Sequence, residues 1–222
     1  MFTVTGEFEI HVTVRPVTGR ADSPVPYGAL ERYAAERAWK FTHIVLDRGR
    51  APSQPMLTLR ADGTLPAARS AAESAAAGLA GAGFTVVRTK IEAAPWAAGV
   101  PVSDEDGRAL GPRYYFEHHL KLLLAEPPPP DVRNALTELV AAHAAHLSRN
   151  ARRVRPDGRA ERFVTQRCRL VGRDTAGRRL RALTADLRAG GHEIVSMERE
   201  FVVYDSDEGL DAGWIVEEEA AR

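Results

Sequence analysis

The chain has 222 residues, 44% hydrophobic and 27% charged, a composition ordinary for a folded water-soluble protein of one domain or of two modules of about 100 residues each. Thirty basic and thirty acidic residues cancel, so no global field favours nucleic acid or an anionic membrane. One cysteine, Cys168, excludes an internal disulfide and a Cys-based zinc cluster, and no apolar run of about 18 residues suggests a membrane span.

In chain order, Phe8, Ile10, Val12 and Val14 alternate with Glu7, Glu9, His11 and Thr13, which predicts a half-buried strand. This run begins without a basic stretch and apolar core, so no signal peptide is expected and the cytoplasm is the expected compartment. A turn-rich stretch over 16–26 leads to a predicted helix over 27–39, with Leu30, Tyr33, Ala34 and Arg37 at helical spacing. Strands follow over 41–46 and 56–60. The alanine-rich segment 67–82 predicts a helix stopped by Gly81 and Gly83, and 84–92 a fourth strand.

The second half repeats the order. It reads as a strand over 115–124, a helix over 131–146 after four prolines, a weakly apolar strand over 147–153 and a better one over 163–170. A helix over 175–189 carries Leu180, Leu183 and Leu187 on one face, and a strand over 193–204 closes the series. Strand, helix, strand, strand, helix, strand is the split βαβ order of the ferredoxin-like sandwich. The predicted class is α+β: two tandem ferredoxin-like modules, 1–94 and 114–204, a connector 95–113 and a tail 205–222. Trp96 and Trp214 are expected to pack the connector and tail onto the body.

The halves also echo one another residue by residue. Phe8-Glu9-Ile10-His11 returns 108 positions later as Phe116-Glu117-His118-His119; Met56-Leu57-Thr58-Leu59-Arg60 returns as Phe163-Val164-Thr165-Gln166-Arg167, offset by 107. Gly83 matches Gly191 and Glu92 matches Glu200, both at 108. Four matches in one order are the mark of an internal duplication, which would relate the modules by a pseudo-two-fold axis.

Side chains alternate across a strand. If the apolar sets face the helices, Glu9, His11 and Thr13 point to the uncovered sheet face, as do Glu117, His119 and Lys121. Thr58, Arg60, Thr165 and Arg167 join them, with Lys90, Glu92, Glu198, Glu200 and, by a weaker argument, His43. His118 falls in the apolar set, and Cys168 on the core side of its strand. An uncovered sheet face can simply be solvated; recurrence of Glu, His, Thr and Arg in both copies points instead to two open faces enclosing a charged groove.

Three chemistries fit such a groove. Two histidines from matched strands suit a general acid and base, oriented by Glu9 and Glu117. Arg60 and Arg167, with Thr13, Thr58 and Thr165, would bind an anion, and Lys121 would stabilise developing negative charge. His11-Val12-Thr13 is similar to the His-x-Thr/Ser strand motif of the 2H phosphoesterase superfamily, two-lobed proteins with one motif per lobe. The resemblance implies a hydrolase-like phosphoesterase, although the second copy reads His119-Leu120-Lys121, with lysine in place of the hydroxyl residue. A second chemistry, metal binding, draws on Glu9, His11, Glu117 and His119 for zinc, iron or manganese, with His143 and His146 as a further pair on one helix; no cofactor is required by the first reading. The third is a binding or interaction module without chemistry. The arginines from Arg149 to Arg169 (Arg149, Arg152, Arg153, Arg155, Arg159, Arg162, Arg167 and Arg169) read as a solvated basic segment, because no aromatic stacking array accompanies them to favour RNA. The expected partner is a small anionic ligand, not a membrane or a nucleic acid.

Overall fold

The computed structural model describes residues 2–15, 27–125, 127–154 and 157–215. The turn-rich stretch 16–26, the last residues 216–222 and Arg155 lie outside them, as do the side chains of Arg152 and Arg153. The first half runs β1 Thr5–Val14, α1 Gly28–Ala35, β2 Lys40–Leu46, β3 Ser53–Thr64, α2 Leu65–Gly81 and β4 Val86–Ala93. After α3 Asp104–Leu110, the second half runs β5 Tyr115–Ala125, α4 Pro130–Ala142, β6 Ala145–Val154, β7 Arg159–Arg169, α5 Arg173–Ala189 and β8 Ile194–Asp205. A 3-10 turn, Glu208–Asp211, follows.

Local chemistry sets these boundaries. The Thr64 hydroxyl accepts from the Ala67 amide at 3.4 Å to open α2, and Pro66 occupies the first turn, where a missing N–H costs nothing. Gly83 and Gly191, matched in the sequence, both take positive φ, +88° and +77°, just beyond α2 and α5. Ala144 turns left-handed (φ +50°) directly after α4 and sends the chain into β6. His146 therefore stands on a strand, and the expected His143–His146 helix pair does not form.

The eight strands close into one antiparallel barrel in the order β1-β3-β2-β6-β7-β5-β8-β4. Within it the halves have equivalent orders, β4-β1-β3-β2 and β8-β5-β7-β6. They join edge to edge through β2–β6, where Val45 faces Arg149, and β4–β8, where Lys90 faces Asp205. The expected picture of two sheets opposed across a groove is corrected by this pairing. Each half would otherwise expose two edges of unpaired N–H and C=O groups, and closure removes all four. The uncovered faces become one interior.

Helices pack outside. Leu79 of α2 and Leu30 of α1 sit in one apolar cluster with Phe8, Ile10, Val12, Leu57 and Ile91; Leu136 of α4 and Leu183 of α5 sit in another with Leu120, Leu122, Leu147 and Val164. Truncating any of the fully buried leucines to alanine costs about 2–5 kcal/mol. This outward burial fixes the strand phase and turns the polar residues inward. Among the described residues, no helix is long and apolar enough to cross a membrane.

The connector holds a helix that residue spacing did not reveal. Ser103 and Asp106 form a capping box at the start of α3, and the Asp104 carboxylate accepts from the Gly172 amide (2.9 Å) and Thr175 hydroxyl (3.0 Å) at the start of α5. Trp96, expected to pack the connector, is 67% exposed. Trp214 does hold the tail: it is buried, and its indole N–H donates to the Leu147 carbonyl at 2.8 Å. Among the basic-segment arginines, Arg159 pairs with Asp157 and Glu193, Arg169 with Glu208, and Arg167 turns into the barrel.

Candidate active site

The inward residues of all eight strands line a cavity of about 170 Å³. Strand register brings the matched residues together. His11 faces Thr58 across β1–β3, and His119 faces Thr165 across β5–β7. His11 Nδ1 lies 2.8 Å from the Thr58 hydroxyl, and His119 Nδ1 lies 3.0 Å from that of Thr165. Each ring's other nitrogen meets the carboxylate of its half's last strand: Nε2 of His11 is 2.7 Å from Glu92, and Nε2 of His119 is 3.4 Å from Glu200. Two Thr–His–Glu units, one from each half, thus converge inside the barrel.

Of the two orienting carboxylates expected from sequence, Glu117 stands beside its histidine and Glu9 does not bond to its own. Residues two apart on one strand lie about 7 Å apart, whereas side chains on paired strands approach to about 5 Å. Glu92 therefore takes the place beside His11 while Glu9 binds Arg60 at 2.8 Å. His119 Nε2 has both kinds of neighbour, Glu117 at 3.5 Å and Glu200 at 3.4 Å.

Around this centre the charges are paired tightly. The Lys90 ammonium bridges Glu92, at 2.5 Å, and Glu117. Arg167 donates from Nε to Glu117 at 2.5 Å and from Nη2 to Asp211 at 2.6 Å. Arg88 binds Asp211 at 2.9 Å and also Asp205. Asp211, on the tail, additionally accepts from Gln54 at 3.0 Å. The two predicted anion-binding arginines thus part company. Arg60 and Arg167 occupy equivalent register positions, opposite Glu9 and Glu117. Arg60 lies at an open barrel end with its side chain 83% exposed, away from the cavity, while Arg167 is buried between two carboxylates. The role of anion holder does not fit either position.

Of the other predicted residues, Glu9, Thr13, Thr58, Glu117, His119, Lys121 and Thr165 line the cavity with His11. His43 does not: it faces outward, bonded to Ser53 at 2.9 Å and packed on Tyr27. His118 is buried on the outward phase beside Gln166, and desolvation pushes its pKa down to about 4. Cys168 is buried as expected. Arg88, Asp211, Trp214 and the β2–β6 wall also line the cavity and were missed. Alternation along 40–46 carried the signal for Thr42 and Ile44; nothing local marked Asp211.

Burial and pairing set the protonation states. Burial alone would lower the pKa of His119, but hydrogen bonding and charge from Glu117 and Glu200 raise it to about 10. In His11 the Glu92 carboxylate likewise outweighs burial and raises the pKa. Glu200 is raised to about 7, by burial first and then by Glu92 beside it. Lys90 and His11 hold Glu92 below the usual carboxylate range despite its burial, and Arg167 and Lys90 do the same for Glu117. The centre therefore combines the His119 imidazolium with one carboxyl group that titrates near neutrality.

Two sets of side chains could also gather around a divalent ion: Glu9, His11 and Glu200, and Glu92, His119 and Glu200, each with ligand atoms within 4.8 Å of one another. Nitrogen and carboxylate donors suit zinc, iron or manganese. In the second set Glu92 already carries ion pairs with Lys90 and His11.

No family model matches the chain, and no curated protein matches its sequence. Solved structures give distant likenesses. The regulatory subunit of aspartate kinase from Thermus thermophilus is 16% identical over 82% of this chain and 93% of its own, with a TM-score of 0.30. Chlorite dismutase from Candidatus Nitrospira defluvii, solved in complex with imidazole, is 12% identical over 93% of this chain and 94% of its own, also at 0.30.

Proposed function

We propose that this protein is an enzyme performing acid–base chemistry on a small anionic substrate inside the barrel, and that its ferredoxin-like halves descend from one duplicated unit. The observation that carries this reading is the pair of Thr–His–Glu units, His11 with Thr58 and Glu92, His119 with Thr165 and Glu200, converging on one cavity.

The roles follow from proton affinities. A general acid or base works best when its pKa lies near the working pH, and Glu200, at about 7, meets that condition in a way that His119, at about 10, does not. Glu200 is the proton acceptor and donor. His119 is an imidazolium that stabilises negative charge developing on the substrate, and His11, its proton affinity raised by Glu92, assists from the other half; threonine hydroxyls and carboxylates hold both rings. Lys90 and Arg167 hold Glu117 ionised beside His119, which keeps that ring charged. This refines the sequence expectation of two histidines exchanging protons with substrate. The single cysteine, buried at Cys168, fits a reducing compartment such as the cytoplasm.

The test is proton exchange. The protein is incubated in D₂O with a panel of small hydroxy, oxo and unsaturated carboxylates, and deuterium incorporation is followed by NMR. Incorporation should rise as Glu200 ionises through about pH 7 and fall about 10²–10⁴-fold in Glu200→Gln. Exchange that persists undiminished in Glu200→Gln removes the assigned base. Saturable ligand binding without exchange on any member would make the barrel a binding module instead. A divalent ion is the competing occupant of the centre; stoichiometric metal in chelator-free protein that disappears in the His11→Ala, His119→Ala double variant would replace proton transfer with metal chemistry.

A further inference from the structure

The cavity lining is mixed. The charged network on β1, β4, β8 and β5, joined by Arg167 of β7, faces a side on which Ile44 and Leu46 of β2, Met56 of β3 and Phe163 of β7 stand among polar side chains. Apolar side chains beside a charged network fit a ligand that is itself divided, with a polar reacting end and an apolar body.

The cations in the cavity are not equivalent. Arg88, Lys90 and Arg167 each hold two carboxylates. Lys121 is held more loosely: its Nζ lies 3.7 Å from Glu161, beyond a good hydrogen bond, and 5.6 Å from the centre of the Phe163 ring. An entering anion can take Lys121 without breaking a tight buried pair. Taking Arg88 would strand Asp205, and taking Lys90 or Arg167 would break two buried ion pairs and leave Glu117 with one cation in place of two. Lys40, exposed at the start of β2, also lines the cavity but stands on the other half of the barrel from Lys121.

Size narrows the class further. At about 170 Å³ the cavity slightly exceeds the engineered cavity of about 150 Å³ that accommodates benzene. It holds a single ring or a short branched chain with a carboxylate, and is too small for a nucleotide. Lys121 and His119 are two residues apart on the same face of β5, about 7 Å along the strand. A carboxylate on Lys121 therefore places the far side of a ring-sized molecule at His119 and Glu200.

Resting on the acid–base reading of this barrel, we propose that its ligand is a ring-sized monocarboxylate. The carboxylate binds Lys121, the apolar body packs on Phe163, Met56 and Ile44, and the reacting end meets Glu200 and His119.

Benzoate, inorganic phosphate and adenosine monophosphate serve as probes in calorimetric titrations of the full chain. Benzoate should bind saturably at one site per chain, and Lys121→Met, which keeps the aliphatic stem, should weaken it at least about tenfold. Phosphate and adenosine monophosphate should neither bind the site nor displace benzoate. If Lys121→Met fails to fold, the Lys121 side-chain NMR signal of the wild type must shift in proportion to benzoate saturation. Absence of saturable benzoate binding, equal affinity in Lys121→Met, an unmoved Lys121 signal, or displacement by adenosine monophosphate would each overturn the proposal. Binding needs no turnover, so Lys121-dependent benzoate binding beside a failed exchange assay would retain this ligand class and remove the catalytic reading alone.

Discussion

Replacing Glu200 by glutamine should change how the protein's stability depends on pH. The Glu200 side chain is 12% exposed, and its pKa rises from the ordinary 4.5 to about 7 because burial and the neighbouring Glu92 disfavour its charged form. A folded-state pKa above the unfolded one means that the folded protein holds the proton more tightly. The resulting stability is complete below about 4.5 and is lost as pH rises through about 7. That interval corresponds to about 3 kcal/mol at 1.36 kcal/mol per pH unit. His119 has the same sign, its contribution being present below about 6.5 and lost as pH climbs to about 10. The wild type should therefore be less stable at about pH 9 than at about pH 6, losing at least the Glu200 share.

Glutamine has nearly the same shape and no proton to lose. It removes the ion contact with His119, which offsets the curve, but also the pH-dependent loss. Urea unfolding followed by tryptophan fluorescence, at about pH 5, 7 and 9, should show the variant gaining up to about 3 kcal/mol on the wild type across the series. Parallel curves for the two proteins, or a wild type whose stability rises between about pH 6 and 9, would refute the assigned proton and with it the general base.

The equivalent arginines should behave differently. Arg60→Ala should change stability by no more than about 1 kcal/mol, being an exposed pair, whereas Arg167→Ala should cost about 3–5 kcal/mol by breaking two buried ion pairs at once and leaving Glu117 to Lys90 and Asp211 to Arg88 alone; urea midpoints decide. Gly49→Ala should destabilise by about 1–3 kcal/mol, since φ is +112° there and an added Cβ would stand 2.9 Å from the Trp214 nitrogen. Trp214→Ala should cost about 3–5 kcal/mol, and should raise the rate at which β6, bonded to the indole through Leu147, exchanges its amide protons.

The alternation of apolar and polar residues made much of the interior legible. Once Phe8, Ile10 and Val12 are assigned to the helix-covered side, Glu9, His11 and Thr13 have no other face, and the 108-residue echo carries the same logic to Glu117, His119 and Lys121. What alternation cannot supply is which strands become neighbours across the halves. β6 reads weakly because Ser148, Arg149 and Asn150, which pair with β2 where the halves meet, are polar, so backbone hydrogen bonding and not apolar alternation gives this segment its strand character. Asp211 lay beyond reach for a related reason. It belongs to a short turn after the last strand, and only the closed barrel brings that turn under Arg88 and Arg167.

Asp211 also explains why two sequence-equivalent halves give an unsymmetrical site. Arg60 and Arg167 face Glu9 and Glu117 in the same register, and a perfect two-fold would treat them alike. The tail follows β8 only once, so its carboxylate reaches one arginine of the pair. Arg167, neutralised by both Glu117 and Asp211, can remain buried; Arg60, with Glu9 alone, stands in solvent. Inside, Arg167 and Lys90 keep Glu117 ionised next to His119, whereas Glu9 pairs with the exposed Arg60. Lys90 and His11 hold Glu92 ionised, and the position that matches Lys90 in the second half is Glu198, so Glu200 has no such lysine beside it and keeps its proton to about pH 7. A symmetrical pair of carboxylates would share one proton evenly; the lysine on β4 divides them into an ionised group and one that titrates near neutral pH.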